Sequence, residues 1–265
     1  MKIWKTAETN PTLAKHIAEE MKLPVPVAMV LCSMGITDTI QIKHFLKPSL
    51  SQISDPFLLP SVEKAVSRIW HAVKTHEPIA VYGDYDADGV TSAALLIRIL
   101  RKLGAGNISA CLPNRISDGY GLNTETLNRC LESFHPKLLI TVDCGTNCTQ
   151  AAELAAKKNV DIIVTDHHES VGSIPDVYAL VNPKKGTYEP SKLLAGVGVA
   201  FKLCHAMLKY GREHGYKIAH EIELKDYLPL VSIGTIADSV PLLQENRIMT
   251  CYGLAKLNDT KTVGL

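Results

Sequence analysis

Length, composition and charge limit what this chain can be. Its 265 residues are 46% hydrophobic, which is enough to bury a large core and too apolar for an intrinsically disordered protein. The 28 lysine and arginine residues nearly balance the 27 acidic ones, so the net charge is only +1. The chain therefore lacks the excess of basic residues that is typical of a nucleic-acid-binding protein. Any binding of nucleic acid would therefore depend on local charge.

The cysteines and the hydropathy pattern indicate a cellular compartment. The seven cysteines include no CxxC pair, and the chain has no signal peptide and no apolar stretch long enough to span a membrane. We therefore predict a reduced, cytoplasmic protein that makes no membrane contact. Cys144 lies next to Asp143 at the end of a predicted strand, and we interpret it as a packing residue rather than a nucleophile.

The amino-terminal part of the chain has the pattern of short helices. Leu13, Ile17 and Met21 recur at helical spacing, and Asp38 is a candidate N-cap for a later helix. Residues 54–60 are bounded by serine and proline and resemble a linker. We divide the chain into a small helical arm (1–58), a main domain (59–250) and the start of a helix or linker (251–265).

The main domain alternates apolar strands with helical segments. Residues 79–82, 138–142 and 160–165 are short apolar runs rich in β-branched residues, which is typical of buried parallel strands. Helical stretches follow at 90–103 and 149–158. This order predicts an α/β fold with a doubly wound, mostly parallel sheet flanked by helices, in which ligands bind beyond the carboxyl ends of the strands.

Acidic and imidazole side chains follow the predicted strands. Asp84, Asp86 and Asp88 come after the first, Asp143 after the second and the Asp166-His167-His168 triplet after the third. Carboxylates this close repel one another unless a cation lies among them, so we predict a hard divalent ion at this edge of the sheet. The alternative for a single residue such as Asp88 is an ordinary helix N-cap.

Six motifs carry a family resemblance that covers most of the chain. They are VYGDYDADGVTSAALL (81–96), LPNRISDGYGLN (112–123), ITVDCGTN (140–147), VTDHHE (164–169), LAGVGVAFKL (194–203) and SIGTIADSVPL (232–242). Through them the chain resembles the DHH phosphoesterase superfamily, which is named for the triplet at 166–168, and within it the RecJ exonucleases of single-stranded DNA.

The resemblance implies a set of ligands for one or two Mn²⁺ or Mg²⁺ ions. The first ion is expected to bind Asp88, Asp143, His167 and Asp238, and the second Asp86 together with Asp143. Asp84 belongs to the same cluster, as an outer metal ligand or as a hydrogen-bond acceptor beside the ligands, and we count it among the catalytic residues. Many relatives have a histidine where this chain has Tyr82, and a phenol is a poor ligand at neutral pH, so we expect weaker binding of the second ion.

Two of these residues need the resemblance to be interpreted. His168 is predicted to contact the scissile phosphate or to protonate the leaving group, with a structural role beside the ligand His167 as the alternative. Without the resemblance, the residues around Asp238 indicate only a turn before a helix near Gln244.

Four residues are candidates for binding the substrate. Arg115, in the loop that follows a predicted strand at 108–112, is expected from the resemblance to contact a backbone phosphate, together with its neighbour Asn114. Thr91 and Ser92 are predicted to open a helix whose amino end holds a phosphate oxygen. The alternative for Arg115 is a solvated surface side chain.

The resemblance implies a hydrolase that cleaves phosphodiester bonds with water and without a covalent intermediate. We expect a metal-dependent 5′ to 3′ exonuclease of single-stranded DNA in recombination and repair, acting as a monomer, with single-strand-binding protein or a helicase as candidate partners. The alternatives are cleavage of short oligoribonucleotides or cyclic dinucleotides, and a non-catalytic replication scaffold with the same fold. A scaffold predicts eroded ligands, whereas the expected ligands are all present.

The resemblance also bears on the extent of the chain. RecJ-like enzymes continue beyond this region with a second phosphoesterase lobe and an oligonucleotide-binding module. We therefore expect this chain to be a fragment with weak nuclease activity on its own, because the second lobe completes the cleft.

Overall fold

The computed structural model describes residues 7–119 and 121–265. Residues 1–6 of the predicted arm and Tyr120 of the second motif lie outside these ranges. The chain divides into two compact units, one ending at Gln52 and the other spanning Ile53–Leu265.

The first unit is helical, as the sequence predicts. It contains α1 (Pro11–Met21), α2 (Val25–Ser33) and α3 (Thr39–Leu46), followed by a 3-10 turn at Leu50–Gln52. Asn10 caps α1 by accepting hydrogen bonds from the amides of Thr12 and Leu13, and Asp38 caps α3 in the same way.

The second unit begins at Ile53, earlier than the predicted boundary after residue 58. The reason is a buried polar cluster that ties the segment after Ile53 to the main domain. The Lys202 ammonium donates to the carbonyl oxygen of Ser54 at 2.7 Å and forms an ion pair with Glu245 at 3.1 Å. The Ser54 amide also donates to the Glu245 carboxylate. Residues 53–58 therefore belong with the domain and not with the arm.

Within the described residues, the sheet of the second unit has five parallel strands in the order β2-β1-β3-β4-β5. The strands are β1 (Ile79–Gly83), β2 (Ile108–Cys111), β3 (Leu138–Val142), β4 (Asp161–Thr165) and β5 (Ala179–Val181). The predicted parallel α/β fold is confirmed, and the three-residue strand β5 is an addition to it. The strand order reverses at β1, the point where ligands bind in open α/β sheets.

Helices cover both faces of this sheet. The helices of this unit are α4 (Val62–Lys74), α5 (Ala87–Lys102), α6 (Thr124–Phe134), α7 (Thr149–Lys157), α8 (Gly196–Glu213), α9 (Leu228–Ala237) and α10 (Gln244–Leu257). Of these, α9 packs on α5 and α8, and α10 packs on α9. Ala80 and Tyr82 of β1 point to the face covered by α6 and α7, where Leu127 and Ala151 are buried with them. The helices α5 and α8 pack on the opposite face, and every residue of β1 and β3 is buried. Burial on both faces explains why these strands are apolar throughout.

The prediction that all seven cysteines are reduced is wrong for one pair. The sulfur atoms of Cys111, at the end of β2, and Cys130, in α6, form a disulfide. The tertiary packing of a strand end against a helix brings the two together, and no motif in the sequence marks the pair. Cys144 is a buried thiol, in agreement with its interpretation as a packing residue. Among the described residues, none of the helices has the length and apolar character needed to cross a bilayer.

Candidate metal centre

The predicted ligands converge at the carboxyl edge of the sheet. Asp84 and Asp86 lie in the loop after β1, and Asp88 lies in the first turn of the helix that follows, α5. Asp143 directly follows β3. His167 comes from the loop after β4, and Asp238 ends α9 as its C-cap. Parallel strands bring these chain segments together because all their carboxyl ends lie on one side.

The Nε2 atom of His167 lies among three carboxylates. It is 3.1 Å from Asp143 Oδ1, 3.8 Å from Asp238 Oδ2 and 3.9 Å from Asp88 Oδ2. Burial, followed by the nearby His168, lowers the pKa of His167, so its ring is neutral and offers a lone pair. A neutral imidazole surrounded by carboxylates is the donor set that Mn²⁺ and related divalent ions accept.

A second group of donors shares Asp143 with the first. Oxygen atoms of Asp84, Asp86 and Asp143 lie within 4.8 Å of one another. Asp84 is buried, and burial raises its pKa. This group consists only of oxygen donors, which hard divalent cations prefer. Asp84 therefore lies among the potential ligands themselves.

Within the described part of the chain, several of these atoms are buried without a hydrogen-bond partner. They are Asp84 Oδ1, Asp143 Oδ1, His167 Nε2 and Asp238 Oδ2. A buried polar atom that lacks a partner costs about 1–3 kcal/mol, and more when it is charged. Divalent cations held by the two donor groups would satisfy all four atoms, so the residues present fit such ions.

The backbone around the centre holds the ligands in place. The Asp88 carboxylate accepts hydrogen bonds from the amides of Gly196 at 2.7 Å and Val197 at 2.8 Å, at the amino terminus of α8. This helix end favours a negative charge. Asp143 adopts a left-handed backbone conformation, with φ of 61°, and its amide donates to the carbonyl oxygen of Thr165. Such a conformation is unusual outside glycine and is found at functional sites.

Asp166 orients His168. Its Oδ1 atom lies 2.7 Å from His168 Nδ1, and its carboxylate also accepts the amides of Thr146 and His167. Burial opposes ionisation of Asp166, but the hydrogen bonds of His168 and Thr146 outweigh it and hold the pKa of Asp166 at about 2. The same pair raises the pKa of His168. Sequence reasoning did not include Asp166 among the site residues, although it begins the triplet.

Comparison with known proteins identifies the family of this fold and site. The family model described as "DHH family, N-terminal domain" matches residues 78–235. The chain belongs to the DHH family. The match includes all the candidate ligands except Asp238, which lies just beyond its end.

Similar DHH proteins have been described as nucleases. The chain is 38% identical to the single-stranded-DNA-specific exonuclease RecJ of Bacillus subtilis over 99% of its own length, and 36% identical to that of Escherichia coli over 91%. A solved structure of RecJ from Thermus thermophilus in complex with Mn²⁺ superposes with a TM-score of 0.76, at 27% identity. The superposition covers 97% of this chain and 35% of the T. thermophilus chain. The chain spans 32% and 41% of the B. subtilis and E. coli relatives.

Tyr82 of this DHH chain is not directed at the centre. It is 1% exposed, and its hydroxyl lies within hydrogen-bonding distance of two acceptors, the carbonyl oxygen of Gly121 at 3.2 Å and Thr126 Oγ1 at 3.0 Å. Burial raises the pKa of Tyr82 to about 12, so the phenol stays protonated. It therefore stabilises the loop before α6 and contributes no ligand.

The prediction that Thr91 and Ser92 open a helix is wrong. The helix α5 begins at Ala87, with Asp86 as its N-cap accepting the amide of Gly89 at 2.9 Å. The capping role considered for Asp88 therefore falls to Asp86. Thr91 is buried and donates its hydroxyl to the carbonyl oxygen of Ala87, and Ser92 is fully buried. Because both side chains are buried and the Thr91 hydroxyl is bonded within its own helix, we drop both as candidates for substrate contact.

The loop with Asn114 and Arg115 extends beyond β2 at the same edge. The Asn114 side-chain oxygen accepts the amides of Ile116 and Ser117 and so stabilises the turn. Arg115 is exposed, with its guanidinium carbon 5.3 Å from the centre of the Tyr85 ring. Both residues remain predicted substrate contacts, and the position of Arg115 next to the first motif is compatible with that role.

The buried carboxylates predict how the stability of the metal-free DHH domain depends on pH. Burial, followed by the charge of Asp238, raises the pKa of Asp88 to about 7, and burial with the charges of Asp88 and Asp86 raises the pKa of Asp143. The folded state thus keeps protons that the unfolded chain loses near pH 4, so this stabilisation is complete at low pH and disappears as the pH rises through the folded pKa.

We expect the unfolding free energy in EDTA to fall by about 2 kcal/mol between pH 5 and pH 7 from Asp88 alone. Saturating Mn²⁺ should reverse the trend, because the ion binds the deprotonated carboxylates. Urea unfolding at both pH values, with and without Mn²⁺, measures the effect. A fall with pH in EDTA that is no larger in the wild type than in Asp88→Asn would contradict it.

Proposed function

We propose that the chain is the DHH part of a metal-dependent phosphodiesterase that cleaves single-stranded DNA from its 5′ end. The observation that supports this most is the position of His167 Nε2 among the carboxylates of Asp88, Asp143 and Asp238. The similarity to RecJ proteins over nearly the whole chain supports the choice of substrate. The intact donor set argues against a non-catalytic scaffold.

We propose two positions for a divalent ion such as Mn²⁺ or Mg²⁺. Asp88, Asp143, His167 and Asp238 would hold one ion, and Asp84, Asp86 and Asp143 the other. When bound, such ions lower the pKa of a water molecule and neutralise charge on the phosphate oxygens.

His168 is the proposed proton donor to the leaving 3′ oxygen. Asp166 binds its Nδ1 atom, so the proposed donor to the leaving group is Nε2. The raised pKa of His168 favours the protonated ring that this role requires. A buried carboxylate behind an imidazole fixes both its orientation and its tautomer.

The proposed substrate also implies where the protein acts and with what. We propose that the protein acts on the single strands that arise during recombination and repair, where it would meet a helicase or single-strand-binding protein. We also propose that it is a cytoplasmic monomer. Arg115 and Asn114 are proposed to contact the backbone of the strand.

A comparison of substrates tests the proposal. With Mn²⁺ supplied, we expect the chain to release nucleotides from a 5′-labelled single-stranded DNA 20-mer faster than it cleaves a ribodinucleotide, a cyclic dinucleotide or pyrophosphate. A 20-mer duplex with blunt ends is the matched control and should resist cleavage. Preference for the dinucleotides or pyrophosphate would replace the proposed substrate class, and the absence of metal-dependent cleavage of every substrate would favour the scaffold.

A further inference from the structure

Tyr85 lies at the centre of the first acidic loop but has no part in the donor set. It separates Asp84 from Asp86, and its side chain is half-buried. The Asp84 carboxylate accepts a hydrogen bond from its amide, which fixes the backbone at this point. One face of its ring is covered by the guanidinium of Arg115, with 5.3 Å between the guanidinium carbon and the ring centre.

The loop that carries Arg115 is itself rigidly held. Asp118 accepts the amide of Asn114 at 2.7 Å and forms an ion pair with Arg129 of α6 at 2.6 Å. Asn123 donates its side-chain amide to the carbonyl oxygen of Asp118 at 3.0 Å. The backbone of the turn is therefore anchored to α6, while the long Arg115 side chain depends on other contacts for its direction.

Arg115 makes no ion pair with a carboxylate within the part of the chain that the structure describes, although it lies next to the acidic loop. An arginine in such surroundings would be expected to pair with an aspartate. The guanidinium lies over the Tyr85 ring instead, in a cation–π contact of an exposed side chain that leaves its N–H donors available to an anion.

We infer that Tyr85 positions Arg115 for a phosphate group of the substrate. The ring holds the guanidinium away from the aspartates and reduces the conformational freedom that Arg115 loses when a strand binds. The aromatic face is what matters, and the hydroxyl is not needed. This inference rests on the proposed function, since it takes the phosphate to belong to single-stranded DNA.

The test compares Tyr85→Leu with Tyr85→Phe in the full chain. Loss of the ring should raise KM for the 20-mer strand about fivefold to tenfold and change kcat less than twofold, whereas Tyr85→Phe should keep the wild-type KM. The matched control is Tyr178→Leu, which removes a similar stack with Lys64, 4.6 Å from the Tyr178 ring centre and next to the start of β5, at the opposite edge of the sheet.

A double-mutant cycle distinguishes positioning from a direct contact. In the Arg115→Ala background, Tyr85→Leu should produce no further rise in KM, because its effect is transmitted through the missing guanidinium. An equal rise in both backgrounds, a loss in Tyr85→Phe as large as in Tyr85→Leu, or wild-type behaviour of Tyr85→Leu would each overturn the inference.

A measurement of binding separates this inference from the proposed function. Fluorescence anisotropy with a labelled 20-mer strand and Ca²⁺ in place of Mn²⁺ should show the same fivefold to tenfold loss of affinity in Tyr85→Leu. If the wild-type chain binds the strand but does not cleave it with Mn²⁺, the proposed activity fails while the affinities still decide the role of Tyr85. If the wild-type chain does not bind the strand, both proposals fail.

Discussion

Replacing Asp143 with asparagine is expected to abolish Mn²⁺ binding and to lower strand cleavage by about 10³-fold. Asp143 is the carboxylate common to both donor groups, so its loss affects both ions. Asparagine has nearly the same shape and tolerates the left-handed conformation with φ of 61°, so the backbone should not change. Calorimetric titration with Mn²⁺ and the 20-mer cleavage assay measure the two effects.

The same substitution should stabilise the metal-free protein. Asp143 is 2% exposed and lies among other carboxylates, so its side chain must take up a proton to be buried in the metal-free protein, a free-energy cost that the neutral asparagine does not have. Asp176→Asn is the matched control, because it makes the same change at an exposed position just before β5, at the opposite edge of the sheet. Undiminished Mn²⁺ affinity in Asp143→Asn would contradict the assignment of the centre.

The sequence was sufficient to predict four of the five strands and the convergence of most candidate ligands. The β1, β3 and β4 runs are apolar and β-branched because the sheet is covered on both faces, and this leaves little ambiguity about their type. Since parallel strands end on the same side, residues that follow them must meet, which accounts for the approach of Asp88, Asp143 and His167. The order of strands in the sequence was therefore enough to predict that these three residues lie close together.

Features that depend on tertiary packing were not predictable in this way. Asp238 follows a helix rather than a strand, and only the family resemblance pointed to it. The disulfide between Cys111 and Cys130 results from packing of β2 against α6, without any spacing rule. The pair of Asp166 with His168 requires a particular side-chain orientation, which a sequence does not specify.

The start of α5 shows a different limit of the sequence. The acidic loop looked like a connection that continued to Asp88, but Asp86 caps the helix and Asp88 already lies in its first turn. Helix boundaries depend on which of several capping residues is used, and three aspartates in alternation offer three choices. Because α5 begins at Ala87, Thr91 and Ser92 lie inside the helix, where both are buried.

Gly196→Ala is expected to disrupt the metal centre from a residue that binds no ion. An added Cβ would lie 2.6 Å from Asp143 Cβ and 2.7 Å from its Cγ, too close for either group to remain in place. Because the Gly196 amide also holds the Asp88 carboxylate, movement of the α8 terminus would displace a second ligand. We expect Mn²⁺ affinity to fall about 100-fold and stability to fall by about 1–3 kcal/mol.

Gly198→Ala provides the matched control, since it makes the same change two positions later in α8. There the added Cβ would meet the end of the flexible Leu194 side chain at 3.1 Å, which can move aside. Titration with Mn²⁺ and urea unfolding of both variants separate a local steric effect from a general gain in helix propensity. If Gly196→Ala kept wild-type Mn²⁺ affinity, the close packing of α8 against Asp143 would not be what holds the ligands in position.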